Sequence, residues 1–493
     1  MSALRLVVCL LLVLAGTPWV PGHASTQDLP VGRLVGVVSR ANPAHRYIVY
    51  LPTAYKPGTP RPVLFIMDYR GRGRVAADVF RPAAERYGWI LLSSNHSSSD
   101  ESPEPTFNAL RAMWTDAHDL WAIDTKRLYI AGLSGTARTA TWIASQLEGS
   151  VAGVIGAAAG LSPGMTTADL SPFLYYGTAG DEDYNYWEMR TLERDAAALN
   201  LHARVEFFSG PHSWMPPPVA AAAIEWLEIK AMQRGLAPVV PALVEAQWTR
   251  DQRAVEMFED RDRLRAASRR LAQMARDFDG LKPADAIAQA VASGAAFGAE
   301  ARSQAEDEAE RRAKAWHAEH LDRALQALAR AYPALSPTPA APVADTIEAM
   351  GLRALVPVAR EPRGDAALAA RRVLAELKVQ TGFYLPMQAM SRGEDDRARY
   401  YLYLAEAIDP GEPHPWYLRA RIAARGGAIP EAIASLRTAV ERGFRSLDPL
   451  EHDPAFEPLR ARKDFQELVA RVRRGWQAER PPIPGRRNGA WPR

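Results

Sequence analysis

Short apolar runs recur between residues 34 and 230, separated by loops and helix-like segments. Residues 63–66 (VLFI) and 128–131 (LYIA) are apolar at consecutive positions, which is typical of strands covered on both faces. Residues 46–50 instead suit an antiparallel edge strand. Strands that alternate with helices predict an α/β fold built on a mostly parallel sheet. We predict eight strands, at 34–39, 46–51, 63–68, 89–93, 128–133, 153–158, 173–176 and 204–208.

Helical patterns lie between these strands, and they continue after the last strand. Within the α/β region we predict helices at 107–120, 136–146, 186–199 and 219–232. Beyond about residue 235 the strand signal ends, and apolar residues spaced three and four apart predict a helix that stops at Gly280 and Pro283. A second helical stretch runs to Tyr332, and we expect it to pack antiparallel on the first, since sustained heptads are missing. The apolar stripe of the first helix is Leu264, Ala267, Leu271, Met274, Phe278 and Leu281.

The last third of the chain contains an internal repeat with an offset of 34 residues. Trp416 begins the first helix of the second copy, and Ala420 takes the small position where two helices cross. This pattern resembles tetratricopeptide repeats, whose helix pairs stack to bury a continuous face. The resemblance covers about residues 382–444, and Arg419 and Phe444 depart from it. The matched pairs are Gly393 with Gly427, Ala398 with Ala432, Leu402 with Leu436, and Ala405 with Ala439.

The N-terminus has the form of an export signal. A short positive start ending at Arg5 precedes an apolar stretch at 6–15, and small residues at Gly22 and Ala24 fit a cleavage site. We therefore predict a signal peptide at 1–24 and a periplasmic or secreted mature protein. The apolar stretch is too short to span a bilayer. No later segment reaches the roughly 18 unbroken apolar residues that a membrane helix needs, so no membrane span is expected after cleavage.

The charge and the cysteine content of the chain exclude several kinds of function and site. The chain has 60 Lys+Arg and 57 Asp+Glu, a formal charge of +3, which argues against nucleic-acid binding driven by net charge. The single cysteine, Cys9, lies within the predicted signal peptide, so the mature chain would have no disulfide, thiolate nucleophile or cysteine metal site. No phosphate-binding glycine motif is present, and we predict no cofactor and no metal.

A serine follows the fifth predicted strand in the sequence Gly132-Leu133-Ser134-Gly135-Thr136. A serine at a sharp turn from strand to helix projects its hydroxyl clear of the sheet, which is the geometry of a nucleophile. The backbone N–H of Gly135 would lie at the N-terminus of the helix and stabilise an oxyanion. Thr136 replaces the glycine that usually stands there, and a Gly-x-Ser turn often only joins a strand to a helix.

An acid and a base follow later strands in the expected order. The strand at 173–176 leads to Asp181 and Asp183, and the strand at 204–208 leads to His212. The order serine, aspartate, histidine places all three at the carboxyl edge of one sheet. Asp181 competes with Asp183 as the acid, and the spacing from Gly180 favours Asp183.

On these residues the stretch from 34 to about 232 resembles the α/β-hydrolase family, especially secreted esterases similar to polyhydroxybutyrate depolymerases and feruloyl esterases. The resemblance implies that Ser134 attacks an acyl carbonyl, that His212 transfers the proton, and that Asp183 orients and stabilises the imidazolium. It also implies a second oxyanion donor in the loop after the third strand, where the N–H of Tyr69 or Arg70 is the candidate.

The remaining site residues are proposed from their positions. Arg70 is a candidate for binding an anionic substrate, although loop arginines are more often simply solvated. Trp214 and Tyr184 flank the base and the acid and are candidates to line a substrate pocket, with core packing as the alternative for each.

The predicted architecture is an α/β-hydrolase sheet followed by an all-α, tetratricopeptide-like region. The leading functional hypothesis is an exported serine hydrolase, specifically a carboxylesterase acting on a small-molecule or polymeric ester, with helical repeats that bind a protein partner or the substrate. The alternative is a catalytically silent hydrolase fold that serves as an interaction protein. The predicted segments are 1–24 signal peptide, 25–235 α/β-hydrolase domain, 236–335 helical hairpin, 336–346 Pro-rich linker, 347–480 repeat domain and 481–493 tail.

Overall fold

The computed structural model describes residues 29–99, 102–147, 149–170, 173–295, 301–331, 342–362 and 364–478. The predicted signal peptide and tail, and most of the predicted linker, lie outside these residues. The chain divides into two compact units, 1–315 and 316–493.

The first unit is built on an eight-stranded sheet with the order β1-β2-β4-β3-β5-β6-β7-β8. The β1–β2 and β2–β4 pairs are antiparallel, and every other neighbouring pair is parallel. The loops that follow β3 and β5 to β8 therefore lie at one edge of the sheet. The strands are β1 (Leu34–Val38), β2 (Arg46–Tyr50), β3 (Arg61–Met67), β4 (Ile90–Ser94), β5 (Ile123–Leu133), β6 (Gly153–Ala157), β7 (Leu174–Gly180) and β8 (Ala203–Phe208).

Helices cover both faces of this sheet, because its central strands are apolar on both sides. Phe65 of β3 packs with Ile130 of β5 in one core, while Leu64 packs with Tyr129 in the other. The helices that follow β4, β5 and β7 complete the first core, and those that follow β3 and β8 complete the second. The helices of this region are α1 (Gly73–Tyr87), α2 (Glu104–Leu120), α3 (Gly135–Gln146), α4 (Thr167–Leu170), α5 (Tyr186–Asp195) and α6 (Pro217–Gln233).

The eight predicted strands and four predicted helices of this region are all present. Two strands are longer than predicted by three residues or more: β5 begins at Ile123, where it pairs with Arg61, and β7 continues to Gly180. The prediction that residues 46–50 form an edge strand is wrong in one respect. β2 is antiparallel, but β1 pairs with its outer side, so β1 forms that edge of the sheet.

A buried charge cluster ties two further helices to the last strand. Arg204 of β8 donates to Asp251 of α7, with 3% and 1% of their side chains exposed. Arg270 of α8 also donates to Asp251, at 3.0 Å, and Asp277 of α8 accepts from the indole N–H of Trp226 at 2.7 Å. The predicted domain boundary at 235 lies between these groups, and it stays a prediction. The helices after the sheet are α7 (Pro241–Glu259), α8 (Leu264–Phe278), α9 (Ala284–Ala295) and α10 (Ala301–Ala331).

The helix predicted from the apolar stripe corresponds to α8, which packs against α7 and α9. The second predicted stretch corresponds to α10, which ends at Ala331, and Tyr332 lies outside the described residues. The division between the two units falls within α10.

The described part of the second unit is helical. Gly393 and Gly427, matched by the 34-residue offset, share a left-handed φ of 74°, and each leads into a helix. The matched pairs Ala398 with Ala432 and Leu402 with Leu436 are all buried. The assignment to tetratricopeptide repeats stays a prediction. The elements are α11 (Val343–Ala349), α12 (Leu352–Ala359), α13 (Asp365–Val379), a π-helical segment (Gln380–Tyr384), α14 (Leu385–Ser391), α15 (Asp395–Ile408), α16 (His414–Arg425), α17 (Ile429–Glu441), α18 (Asp448–His452), a 3₁₀ turn (Pro454–Leu459) and α19 (Lys463–Ala478).

Candidate active site

Ser134 lies at the turn between β5 and α3 with φ 59° and ψ −125°. A positive φ is costly for a residue with a side chain and occurs at functional sites when the surroundings enforce it. Here the surroundings are tight. A Cβ at Gly132 would meet the carbonyl oxygen of Thr136 at 2.4 Å, and a Cβ at Gly135 would meet the Cβ of Ser99 at 2.5 Å. The two glycines therefore allow the close turn that presents the serine.

Thr136 is fully buried and fastens this turn to the neighbouring strand. Its hydroxyl accepts from the N–H of Leu133 at 3.0 Å and donates to the carbonyl of Met67, at the end of β3, at 2.6 Å. A glycine at this position would make neither bond. The departure from the usual five-residue pattern thus adds a polar link beneath the serine and leaves the turn in place.

The loops after β7 and β8 bring an acid and a histidine together. Oδ1 of Asp183 and Nδ1 of His212 are 2.8 Å apart. A carboxylate only accepts, so Nδ1 carries the proton and donates it. The Asp183 side chain is 0% exposed, and its Oδ1 also accepts from the N–H of Asn185 at 2.8 Å. The imidazole, 13% exposed, is thereby held in the tautomer with a bare Nε2.

Asp181, the competing acid, bonds to the backbone instead. Its Oδ1 accepts from the N–H of Gly210 at 3.0 Å, which joins the acid-bearing turn to the loop that carries His212. The histidine is bonded to Asp183 alone of the two. The role of Asp183 as the catalytic acid stays a prediction.

The other ring nitrogen of His212 faces a tyrosine. The hydroxyl of Tyr184 is 2.9 Å from Nε2, and the two rings are stacked with centroids 4.1 Å apart at 21°. Because the rings are stacked, the phenol oxygen contacts Nε2 from the face of the imidazole and not along the in-plane lone pair of that nitrogen. Ser134 is half-buried, and its hydroxyl makes no hydrogen bond to a described residue.

A short series of contacts joins the serine turn to the acid-bearing loop. The N–H of Ser134 donates to the carbonyl of Ala157 at the end of β6, at 2.9 Å. The next carbonyl, that of Ala158, accepts from the side-chain amide of Asn185 at 2.8 Å. Arg138, one turn into α3, forms an ion pair with Glu188 of α5. The serine, the acid and the base therefore lie on adjoining loops at the same edge of the sheet.

The loop after β3 is organised around Asp68, whose side chain is 0% exposed. Arg72 donates to it through Nε and Nη2, both at 2.9 Å, and Trp214 donates its indole N–H at 2.8 Å. Burial by itself raises the pKa of Asp68, but the charge of Arg72 and these hydrogen bonds outweigh burial and hold the pKa below its ordinary value. The carboxylate is therefore ionised and neutralises Arg72.

These contacts distinguish between the oxyanion donors and the substrate-binding side chains proposed in and near this loop. The N–H of Arg70 donates to Asp68 at 2.9 Å and is already used, whereas the N–H groups of Tyr69 and Gly135 donate to no described residue. The Arg70 side chain is half-buried, lies over the Tyr69 ring at 5.0 Å and has no acidic partner among the described residues. Trp214 is 8% exposed and bonded to Asp68, so core packing, the alternative considered for it, accounts for its position better than pocket lining.

Three features of the site lie outside the sequence prediction: the role of Asp68 as a hydrogen-bonding centre, the Arg138–Glu188 ion pair, and the contact of Tyr184 with Nε2. An aspartate directly after a buried strand was a visible signal for the first. The other two join residues 50 and 28 positions apart, which no local pattern reports.

The sheet order, the antiparallel second strand and the strand–serine–helix turn define the first unit as an α/β-hydrolase fold, followed by helices. No protein-family model matches the chain, and no curated protein matches it. Among solved structures, FphF, a fluorophosphonate-binding serine hydrolase of Staphylococcus aureus, is similar at 12% identity over 40% of this chain and 99% of that chain, with a TM-score of 0.33.

Two other structures give comparable values. The S-formylglutathione hydrolase FrmB of Staphylococcus aureus is 12% identical over 40% of this chain and 99% of its own, with a TM-score of 0.32. A thermostable esterase is 19% identical over 40% of this chain and 62% of its own, with a TM-score of 0.33. The fold assignment rests on the strands and the turn described above.

In the described ranges, no three His, Cys, Asp or Glu side chains are grouped as a metal site requires. None of the helices in the described part of the chain combines the length and the apolar character needed to cross a bilayer.

Proposed function

We propose that the protein is an exported serine hydrolase that cleaves carboxylic esters with Ser134, His212 and Asp183. One observation carries the proposal. A serine held in a left-handed turn after β5 shares an edge of the sheet with a buried, hydrogen-bonded aspartate–histidine pair. A serine turn that only connects a strand to a helix would not require an aspartate–histidine pair at the same edge of the sheet.

In the proposed reaction, Oγ of Ser134 attacks the acyl carbon while Nε2 of His212 takes the hydroxyl proton. Asp183 holds the imidazole by Nδ1 and stabilises its positive charge. The N–H groups of Gly135 and Tyr69 receive the negative oxygen of the tetrahedral intermediate. The imidazolium then protonates the departing alcohol. Water attacks the acyl-enzyme with His212 again acting as base, which releases the acid and restores the serine.

The substrate side of the proposal rests on Arg70. A half-buried cation that has no acidic partner in the described part of the chain is suited to a negatively charged group on the ester, because an anion there gains a charge-assisted hydrogen bond. We place this group beside the scissile carbonyl, since the Arg70 loop is bonded to the serine turn through Met67 and Thr136. No cofactor takes part in the proposed reaction.

Export and partner binding complete the proposal. The sequence at 1–24 supports secretion or a periplasmic location. The repeated helices of the second unit support binding of a protein partner or of a polymeric ester.

The alternative, a silent hydrolase fold that acts as an interaction protein, is favoured by one observation. Nε2 of His212 lies 2.9 Å from the hydroxyl of Tyr184 and makes no hydrogen bond to Ser134. In substrate-free enzymes catalytic hydrogen bonds are often absent and form only in the complex, so this contact does not outweigh the arrangement of the three residues.

Labelling with a fluorophosphonate probe separates the two functions. We expect the folded mature protein to be labelled at Ser134, and the Ser134→Ala variant to remain unlabelled and to hydrolyse none of a panel of acyl esters. The hydrolase proposal fails if the native protein is folded by circular dichroism and neither labels nor hydrolyses any of the esters.

A further inference from the structure

The peptide bond between Asp68 and Tyr69 is held from the side opposite to its N–H. Its carbonyl oxygen, which belongs to Asp68, accepts from the hydroxyl of Ser97 at 2.8 Å and from the N–H of Gly71 at 3.0 Å. Among the described residues no peptide bond is cis, and in a trans peptide the C=O and N–H groups share a plane and point in opposite directions. The two hydrogen bonds therefore also fix the direction of the Tyr69 N–H, which donates to no described residue.

The carboxylate of the same aspartate holds the next part of the loop. Its Oδ1 accepts from the N–H of Arg70 at 2.9 Å, so the backbone is fastened on both sides of Tyr69. Oδ2 accepts from the indole N–H of Trp214 at 2.8 Å, and Arg72 donates to both oxygens. Because Trp214 stands two residues after His212, this carboxylate joins the loop to the one that carries the base.

Ser97 is fixed by the neighbouring strand. It is 2% exposed, and its own N–H donates at 2.9 Å to the hydroxyl of Ser94, the last residue of β4. β4 pairs with β3, which ends at Met67, directly before Asp68. The pairing of the two strands thus presents the Ser97 hydroxyl to the Asp68 carbonyl before any substrate binds.

We infer that Ser97 and Asp68 are positioning residues that hold the N–H of Tyr69 in place as a donor to the negative oxygen formed during ester cleavage. A donor stabilises this oxygen most when it is fixed before the charge develops, because it then needs no reorientation. The carbonyl oxygen of the bound ester carries less charge, so a fixed donor favours the tetrahedral intermediate over the bound ester. The inference rests on the proposed hydrolase activity and on Tyr69 as an oxyanion donor.

Ser97→Ala tests the inference with a small change, because it removes only the hydroxyl bonded to the Asp68 carbonyl. The assay is hydrolysis of an activated ester, with active sites counted by fluorophosphonate titration. We expect kcat to fall about fivefold, the factor that one neutral hydrogen bond is worth, and KM to stay within about twofold. Ser145→Ala is the matched control, with native kcat expected. Its hydroxyl also donates to a backbone carbonyl, that of Trp142 at 2.7 Å, at the end of α3 remote from Ser134.

A trifluoromethyl ketone reports on the oxyanion site itself. Oγ of Ser134 adds to the ketone carbon, the hydroxyl proton passes to His212, and the ketone oxygen becomes negative, as in the ester intermediate. A residue that acts only on stability or on the bound ester does not change the affinity for this adduct in step with kcat. We therefore expect the inhibition constant of the ketone to rise about fivefold in Ser97→Ala, the same factor as the loss in kcat.

Asp68→Asn makes a larger change in the same loop. In either orientation of the amide, its NH₂ group meets donors that a carboxylate oxygen accepts in the native protein. We expect kcat to fall about a hundredfold, the order of loss that follows removal of one oxyanion donor, with an equal loss of ketone affinity. Asp116→Asn is the matched control. Asp116 is 1% exposed and accepts from two backbone N–H groups after β1, so we expect its kcat to stay within about threefold of native.

The outcomes separate the inference from the hydrolase proposal. Parallel losses of kcat and ketone affinity in Ser97→Ala and Asp68→Asn, with both controls near native, support the inference. A folded variant of either residue with native kcat, a loss of kcat without a loss of ketone affinity, or equal losses in the controls overturns it and leaves the hydrolase proposal standing. If Asp68→Asn does not fold, Ser97→Ala alone decides. If the folded native protein neither labels nor hydrolyses the ester, both fail.

Discussion

The charge of Asp183 is the part of the site whose contribution can be calculated most directly. Its Oδ1 accepts from both Nδ1 of His212 and the N–H of Asn185, and the amide oxygen of an asparagine can accept both bonds in the same place. Asp183→Asn therefore keeps the tautomer and the ring orientation and removes only the negative charge. The new NH₂ group would take the position of Oδ2, which is buried and has no partner in the described structure.

The loss follows from Coulomb's law. A unit charge about 4 Å from the imidazolium contributes about 4 kcal/mol at an effective dielectric constant of about 20. Since about 1.4 kcal/mol is a factor of ten in rate, we expect Asp183→Asn to lower kcat/KM by about a thousandfold. The buried NH₂ group costs a further 1–3 kcal/mol or so in the free energy of unfolding, because it lacks an acceptor.

The assay is hydrolysis of an activated ester whose turnover depends on Ser134, with unfolding followed in urea on the same samples. Asp181→Asn is the control. It makes the same chemical change two residues earlier, and its amide oxygen can still accept from Gly210, so we expect activity within about threefold of native. A folded Asp183→Asn protein with more than a tenth of native activity, or equal losses in both variants, would refute the reasoning.

Three further predictions concern stability. Thr136→Val loses both polar links of the serine turn and should lower the free energy of unfolding in urea by about 1–3 kcal/mol. Thr136→Ser keeps the hydroxyl and should have a free energy of unfolding near the native value. Equal losses in the two variants would contradict the role given to the hydroxyl. Asp251→Ala leaves Arg204 buried without this partner and should lower the free energy of unfolding by about 3–5 kcal/mol. Asp78→Ala breaks an exposed ion pair and should lower it by at most about 1 kcal/mol. Similar losses in the two variants would show that the cluster does not hold α7 to β8. Burial, assisted by nearby positive charges, lowers the pKa of His317 from 6.5 to about 4. The unfolded chain therefore takes up the proton first, and the stability of the native protein should fall as the pH drops from 6.5 towards 4. The thermal midpoint of His317→Gln should fall less over this range, and parallel curves of midpoint against pH for the two proteins would exclude the effect.

Much of the fold was predictable because its signals are local. Four consecutive apolar residues in β3 and in β5 indicate strands covered on both faces, and a 3.6-residue period of apolar residues indicates the helices between the strands. The residues just after each strand could be named as site candidates because the ends of parallel strands meet at one edge. The edge position of β2 was predicted incorrectly, since pairing with β1 depends on which strand folds back beside it.

The sequence by itself determined where strands, turns and helices form and which polar residues stand at the strand ends, because those properties depend on side chains a few positions apart. Tertiary structure alone decided that His212 bonds to Asp183 while Asp181 bonds to Gly210, and that the ring of Tyr184 stacks on that of His212. It also decided that Trp214 braces Asp68, a residue 146 positions away. A hydrogen bond forms or fails over a few tenths of an ångström, and only the packing of the whole sheet and its loops sets distances between distant residues that finely.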